Sequence, residues 1–277
     1  MLRWSINLFR VFGIQLAVHW SFLLLLAYFG HEGWKSGGFT GLCWSIGLIL
    51  LFFVCVILHE LGHSLTAQRF GVKVPRILLL PIGGMAEFDR IPRKPTQELL
   101  ITIAGPAVNF ALAAVLLPFA WSAIFSDREV AEYTLEYTVA QLCIANVVMG
   151  VFNLLPVFPM DGGRIFRALL AIKLPYLRAT YWAVIVGKTL AGLIVLALGS
   201  YLLFWSFRPH EAAPPANVYS LLVLFTFIFF VGDAEYRQTL RREQEARYWA
   251  EMSRRLREFE APDALPPAPP IILHGPN

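Results

Sequence analysis

Charge is what this sequence has least of. Only 15% of its 277 residues are Asp, Glu, Lys or Arg, where a soluble domain carries roughly 25%. With 57% of the chain hydrophobic, that shortfall excludes disorder for most of its length, and it excludes an ordinary water-soluble enzyme. Cysteine is equally scarce. Cys43, Cys55 and Cys143 each stand inside an apolar run and none shows a paired spacing. Neither a disulfide framework nor a cysteine-type zinc knuckle is therefore available. No internal repeat is visible, and no small-residue cleavage site marks the first apolar run, which is expected to be kept as a span.

What the chain has instead is long apolar runs. A hydrocarbon core of about 30 Å takes about 20 apolar residues as helix. The runs that meet or approach this are Ile14 to Tyr28, Leu42 to Ala67, Leu99 to Phe125, Tyr133 to Leu155, Tyr181 to Phe207 and Val218 to Val231. The expected fold class is an all-α membrane protein with about six transmembrane helices. One connection differs from the rest: in Val72 to Pro95, apolar and β-branched residues flank Gly83-Gly84. It predicts a small β ribbon between spans two and three, able to dip into the membrane where protein surrounds it.

With six spans, both termini lie on one side. That side collects every Lys and Arg except Lys35, Arg128, Arg208 and Lys188, the last inside the fifth run. Positive charge favours the cytoplasm. A multi-pass protein of the cell membrane with both termini cytoplasmic is expected. Residues 1–232 would form the membrane core and 233–277 a tail. From Asp233 to Glu260 the tail interleaves Arg and Glu as a solvated or interfacial helix would. Beyond it Pro262, Pro266, Pro267, Pro269, Pro270 and Pro276 argue against regular structure. The lipid bilayer is an expected partner, nucleic acid is not, and the tail is a candidate site for a regulatory partner.

The second run contains His59-Glu60-Leu61-Gly62-His63. Residues i and i+4 share a helix face, so both imidazoles can reach one zinc ion at about 2.0–2.1 Å. Glu60 can take a proton from a water that the metal activates. Packing histidines tied to backbone carbonyls are the bland alternative, but polar groups at membrane depth are costly and functional by default. Zinc still needs a third protein ligand. Asp161 is the only carboxylate in the segment from Phe152 to Arg164, where Pro156 and Pro159 break the helix and Gly162-Gly163 allow an unusual path. It could instead cap the helix that follows, and Glu87, Asp89 and Glu98 are rival ligands. Depth is compatible with Asp161: His59 lies roughly 25 Å of helix below Leu42, and Asp161 lies past the inner half of the fourth span.

Together these segments resemble the site-2 protease family of intramembrane zinc metalloproteases. The resemblance rests on the His-Glu-Leu-Gly-His run and the Asn153 to Gly163 segment. Val18-His19-Trp20-Ser21 and Gly105-Pro106-Ala107-Val108-Asn109 also match. It implies that His59, His63 and Asp161 hold zinc and that Glu60 is the catalytic base. It places Asn153 and Asn109 near the substrate or oxyanion, and the Gly83-Gly84 ribbon beside the cleft. It also implies membrane-spanning protein substrates, cut in or near their transmembrane segments. The connection from Ser126 to Glu132 is too short for a PDZ insert, and the tail is too short and proline-rich for a nucleotide-sensing pair. A metal or proton transporter using the same His and Asp groups is the competing class. Inverted repeats would favour that class, whereas the adjacent Glu60 favours hydrolysis. His19 and Lys188 are expected to snorkel, and Asn146, on one face with Asn153, is expected to join helices.

Overall fold

The structure, a computed structural model, describes residues 4–89, 92, 94–126, 130–207 and 214–259. Arg3, Arg90, Arg93, Arg128, Arg208 and the prolines from Pro262 onward lie outside the described residues. The elements in chain order are β1 (Ser5–Val11), β2 (Ile14–His19), α1 (Ser21–Arg69), β3 (Arg76–Leu80), β4 (Gly83–Glu87), α2 (Pro95–Phe125), α3 (Leu135–Asn153), α4 (Asp161–Ala171), α5 (Tyr176–Ser206) and α6 (Ala216–Phe259). Among the described residues, five helices, α1, α2, α3, α5 and α6, are long and apolar enough to cross a membrane.

α1 is a helical hairpin. Its backbone leaves helical geometry at Gly37 and Gly38, the latter at φ 57°, a region that favours glycine. The rings of Phe22 and Phe53 meet edge to face with centroids 4.6 Å apart. A straight helix would separate them by about 46 Å. The arms close on glycine: a Cβ on Gly41 would strike the Gly33 carbonyl, and one on Gly30 would come within 2.9 Å of Leu42 Cδ1. Between apolar helices in lipid the hydrophobic effect gives little, so close backbone approach at small residues carries the packing. α2 and α3 meet in the same manner, through Ala113, Ala120, Ala140 and Cys143.

The first apolar run corrects the expectation. Ile14 to His19 is not the start of a span but β2, and the helix begins at Ser21. The ribbon is likewise larger than expected, a four-stranded sheet in the order β1-β2-β3-β4. β2 runs antiparallel to β1 and parallel to β3, with Leu16 opposite Ile77 and Val18 opposite Leu79. The hairpin α1 makes the crossover. β3 and β4 are antiparallel, with Leu79 opposite Gly84. The turn falls at Pro81-Ile82 and the glycine pair opens β4. Ile14, Leu16, Ile77 and Leu79 pack with Phe22, Phe53, Val56 and Leu61 into one buried cluster. That leaves β4 at the sheet edge, against the inner end of α1.

His19 ends β2 rather than opening a span. Its Nδ1 accepts from the Ser21 backbone N–H at 3.2 Å and lies 2.7 Å from Ser21 Oγ, which serves the start of α1. Lys188 pairs with Asp233 of α6 at 2.7 Å. α6 itself is continuous through residue 232. Gly41→Val should push the arms of α1 apart at a cost of about 1–3 kcal/mol. Thermal unfolding of the detergent-solubilised protein should then shift down by several degrees, and an unchanged midpoint would contradict the hairpin packing.

Candidate metal centre

His59 and His63 lie on one face of the inner arm of α1, 5% and 7% exposed. That face packs closely on α2, and glycines permit the approach. A Cβ on Gly62 would stand 2.7 Å from the Ala104 carbonyl, and one on Gly105 would overlap His63 Nε2. Asp161 comes from elsewhere in the chain. α3 ends at Asn153, the segment through Pro156 and Pro159 turns back, and α4 starts with Asp161 in its first turn. Gly162 and Gly163 fit against the backbone of 154–158, where any Cβ would collide.

A chain of hydrogen bonds assigns the imidazole tautomers. The Leu142 carbonyl can only accept, so Asn146 Nδ2 donates to it at 2.8 Å. Asn146 Oδ1 then accepts from Asn109 Nδ2 at 3.0 Å. Asn109 therefore presents Oδ1 to His59 Nδ1, 2.6 Å away, and that nitrogen is the donor. His63 Nδ1 likewise donates to the Ile101 carbonyl at 2.8 Å. A neutral imidazole has one donor, so both Nε2 atoms carry lone pairs. They face each other at 3.1 Å, with Asp161 Oδ2 at 3.4 Å from the first and 3.1 Å from the second.

Three electron-rich atoms thus converge in a buried place, and Asp161 Oδ2 has no hydrogen-bond donor of its own. Uncompensated, the arrangement is repulsive; a cation among them makes it favourable. Ligands on a tetrahedral zinc with bonds of about 2.0–2.1 Å stand about 3.3–3.4 Å apart, close to the spacing observed. Two imidazoles and one carboxylate fit zinc and leave one position open. The ring nitrogens facing away are both fixed by acceptors, the usual support for metal-ligating histidine. Among the described residues this is the one His/Cys/Asp/Glu group close enough to hold a metal. Two of the rival carboxylates are engaged elsewhere, Glu87 with Arg76 at 3.1 Å and Glu98 with Arg167, and Asp89 stands outside the group close enough to hold a metal.

A cavity of about 220 Å³ opens on the cluster, lined also by Glu60, Gly84, Met85, Asn153 and Arg164. Glu60 lies against Gly84, where a Cβ would meet its Cγ. Gly83, at φ 137°, begins the same strand one residue earlier. Asn109 is placed differently from Asn153. It is fully buried and its amide is occupied at both ends, so it stands behind His59 rather than in the cavity.

Asn146, expected to join helices, does so: it braces Asn109 across 37 positions, a link to the metal centre that no local pattern announces. One residue on the cavity wall was not singled out by the sequence. Arg164 brings a cation to the cavity wall. It lies three residues after Asp161, hence on the same side of α4, a spacing that could have flagged it. Among the described residues its guanidinium has no hydrogen bond or ion pair, and it influences Glu98 only through space.

Asn109→Ala should lower zinc affinity about 10- to 100-fold in a folded protein, read by competition with a chromogenic chelator. Unchanged affinity would contradict the tautomer assignment. Gly105→Ala should abolish zinc binding outright, by placing a methyl group on His63 Nε2. Stoichiometric zinc in that variant, measured by elemental analysis, would count against the packing described.

Comparison with known proteins agrees with this geometry. The model of peptidase family M50 matches residues 47–126 and 121–194, a stretch that contains His59, Glu60, His63, Asn109, Asn153 and Asp161. A zinc metalloprotease of Methanocaldococcus jannaschii is 45% identical over 72% of this chain and 55% of its own length. Stage IV sporulation protein FB of Bacillus subtilis is 31% identical over 69% of this chain and 59% of its own. The chain thus spans little more than half the length of these two curated relatives. Among solved structures, the site-2 protease from Methanocaldococcus jannaschii superposes with a TM-score of 0.55 at 38% identity, covering 84% of this chain and 95% of that one. A family match across both metal-bearing segments, and a structural relative aligned along nearly all of its length, place this chain in peptidase family M50, the site-2 protease family, as an integral membrane protein.

Proposed function

We propose that this protein is an intramembrane zinc metalloendopeptidase that hydrolyses peptide bonds in or near the transmembrane segments of other membrane proteins. The observation that carries the reading is the position of Glu60. Its carboxylate lines the same cavity as the converging His59, His63 and Asp161 atoms, beside a strand edge that is free to pair. A metal or proton transporter has no use for a base at that point, and nothing specific favours that class.

Bound zinc supplies Lewis acidity, which polarises a carbonyl and makes water acidic near neutral pH. His59, His63 and Asp161 hold it, and Asn109 and Ile101 hold the two imidazoles in register. Glu60 takes the proton of the attacking water and later gives it to the leaving amine. Gly84 leaves the room in which the Glu60 side chain lies. Asn153 and Arg164, on the cavity wall, steady the charge that develops on the substrate oxygen. Asn109, held at both ends, takes no part in that step and serves as a positioning residue.

A helical substrate hides its carbonyls in internal hydrogen bonds, so the segment to be cut must be extended. β4 is an edge strand with unpaired backbone groups, and Gly84, Met85 and Ala86 border the cavity. Strand addition there would present an extended peptide to the metal site. The topology follows from the basic residues: six crossings, counting both arms of α1, both termini cytoplasmic, in the cell membrane. Residues 1–232 form the membrane core. The tail, 233–277, is cytoplasmic; α6 runs into it as far as Phe259, and a regulatory partner could meet it there.

Glu60→Gln should keep stoichiometric zinc and lose at least about 100-fold in cleavage of a single-span substrate in proteoliposomes. Wild-type turnover in that variant would overturn the assignment.

A further inference from the structure

Four helices that serve the site meet at one buried guanidinium. Arg167 of α4 is 1% exposed. Its Nε donates to Glu98 Oε1 at 2.9 Å and its Nη2 donates to the same oxygen at 2.5 Å. Nη1 donates to Glu235 Oε1 of α6 at 2.6 Å. Tyr176, the first residue of α5, donates its hydroxyl to Glu98 Oε1 at 3.3 Å. The guanidinium carbon lies 5.3 Å from the centre of the Phe158 ring and 5.1 Å from that of Tyr176. Burial draws the Arg167 guanidinium towards neutrality, but the Glu98 carboxylate outweighs this, helped by Tyr176 and Glu235, so it stays a cation.

Buried ion pairs are poor sources of stability, because desolvation consumes most of the attraction. What they provide is fixed geometry, and here the geometry concerns Asp161. Phe158 lies three residues before Asp161 and Arg167 six residues after it, so one guanidinium joins both flanks of the ligand. Glu98 lies three residues before Ile101, whose carbonyl holds His63, and on the helix that carries Asn109. The Arg167–Glu98 pair therefore sets α4, which brings the carboxylate, against α2, which orients the imidazoles. Glu235 closes the arrangement from the C-terminal helix, two residues after Asp233.

We propose that Arg167 is a positioning residue for the metal centre. Through its forked pairs to Glu98 and Glu235 it holds Asp161 in place, so that α6 helps to secure a metal ligand it does not touch. The inference rests on Asp161 being a zinc ligand, as argued above. It gives the root of the C-terminal helix a task in the core of the enzyme, and it predicts that displacing that helix loosens the metal.

The test is zinc affinity of the full-length protein in detergent, by chelator competition, for Arg167→Lys, Glu235→Gln, Lys188→Met and Asp161→Ala. Arg167→Lys keeps the charge but loses the fork. It and Glu235→Gln should each weaken zinc binding about 10-fold or more, as outer partners of metal ligands do. Lys188→Met breaks another contact between α5 and α6 and should leave affinity unchanged. If Arg167→Lys does not fold, Glu235→Gln decides, since that side chain is partly exposed. Wild-type affinity in folded Glu235→Gln, or an equal loss in Lys188→Met, would overturn the proposal. Zinc retained by Asp161→Ala would overturn the metal-site reading itself. Zinc lost there but unaffected by the Arg167 and Glu235 variants would overturn only the positioning role.

Discussion

Two imidazole nitrogens and a carboxylate oxygen, none with a proton to share, stand about one tetrahedral edge apart on buried side chains. In water such a set would be separated by solvent. Here the protein forces it together, at a cost that only a cation offsets. The repulsion is built in by acceptors: the Ile101 carbonyl accepts a hydrogen bond from the Nδ1–H of His63, and Asn109, oriented by Asn146, accepts one from the Nδ1–H of His59. Each of these outer contacts has meaning only because the inner atoms must be free to donate lone pairs.

Much of the surrounding architecture serves that convergence. Gly105 and Gly62 let α1 and α2 approach until the imidazoles sit against bare backbone, and Gly162 and Gly163 let α4 begin tightly against the chain that precedes it. Gly84 opens space for Glu60 in the same way. The missing side chains are therefore as informative as those present. The hairpin of α1 and the crossover between β2 and β3 bring a strand edge to the cavity. An edge is an aggregation hazard in a soluble protein; in the function proposed above it becomes a place to hold an extended chain. Arg167 extends the same logic outward, tying α2, α4, α5 and α6 at a point adjacent to the ligand loop.

Several of these features were legible in the sequence. The spacing of His59 and His63 is a helix-face signal that needs no tertiary information, and polar groups at that depth stood out against an apolar background. Asp161 was conspicuous by scarcity, although its role came into focus only through the family resemblance. The Gly37-Gly38 break falls in the gap between the first two apolar runs. Ile14 to His19 misled because the strand is only six residues long and is followed almost at once by the apolar start of α1, so the alternation of Ile14, Leu16 and Val18 with Gln15, Ala17 and His19 was absorbed into one run. The task of Asn109 was hidden for another reason: its partners lie 37 and 50 positions away. Arg167 shows a third limit. It was counted among the charges of a cytoplasmic loop, and charge counting is blind to a guanidinium buried to 1%.

The account depends most directly on what surrounds the metal, and X-ray absorption at the zinc edge of the purified full-length protein reads this without an assay of function. The predicted spectrum has only nitrogen and oxygen neighbours at about 2.0–2.1 Å, with outer scattering from two imidazoles and a total coordination of four. A sulfur neighbour near 2.3 Å, a count of imidazoles other than two, or a protein that purifies with an intact fold and takes up no zinc would contradict it.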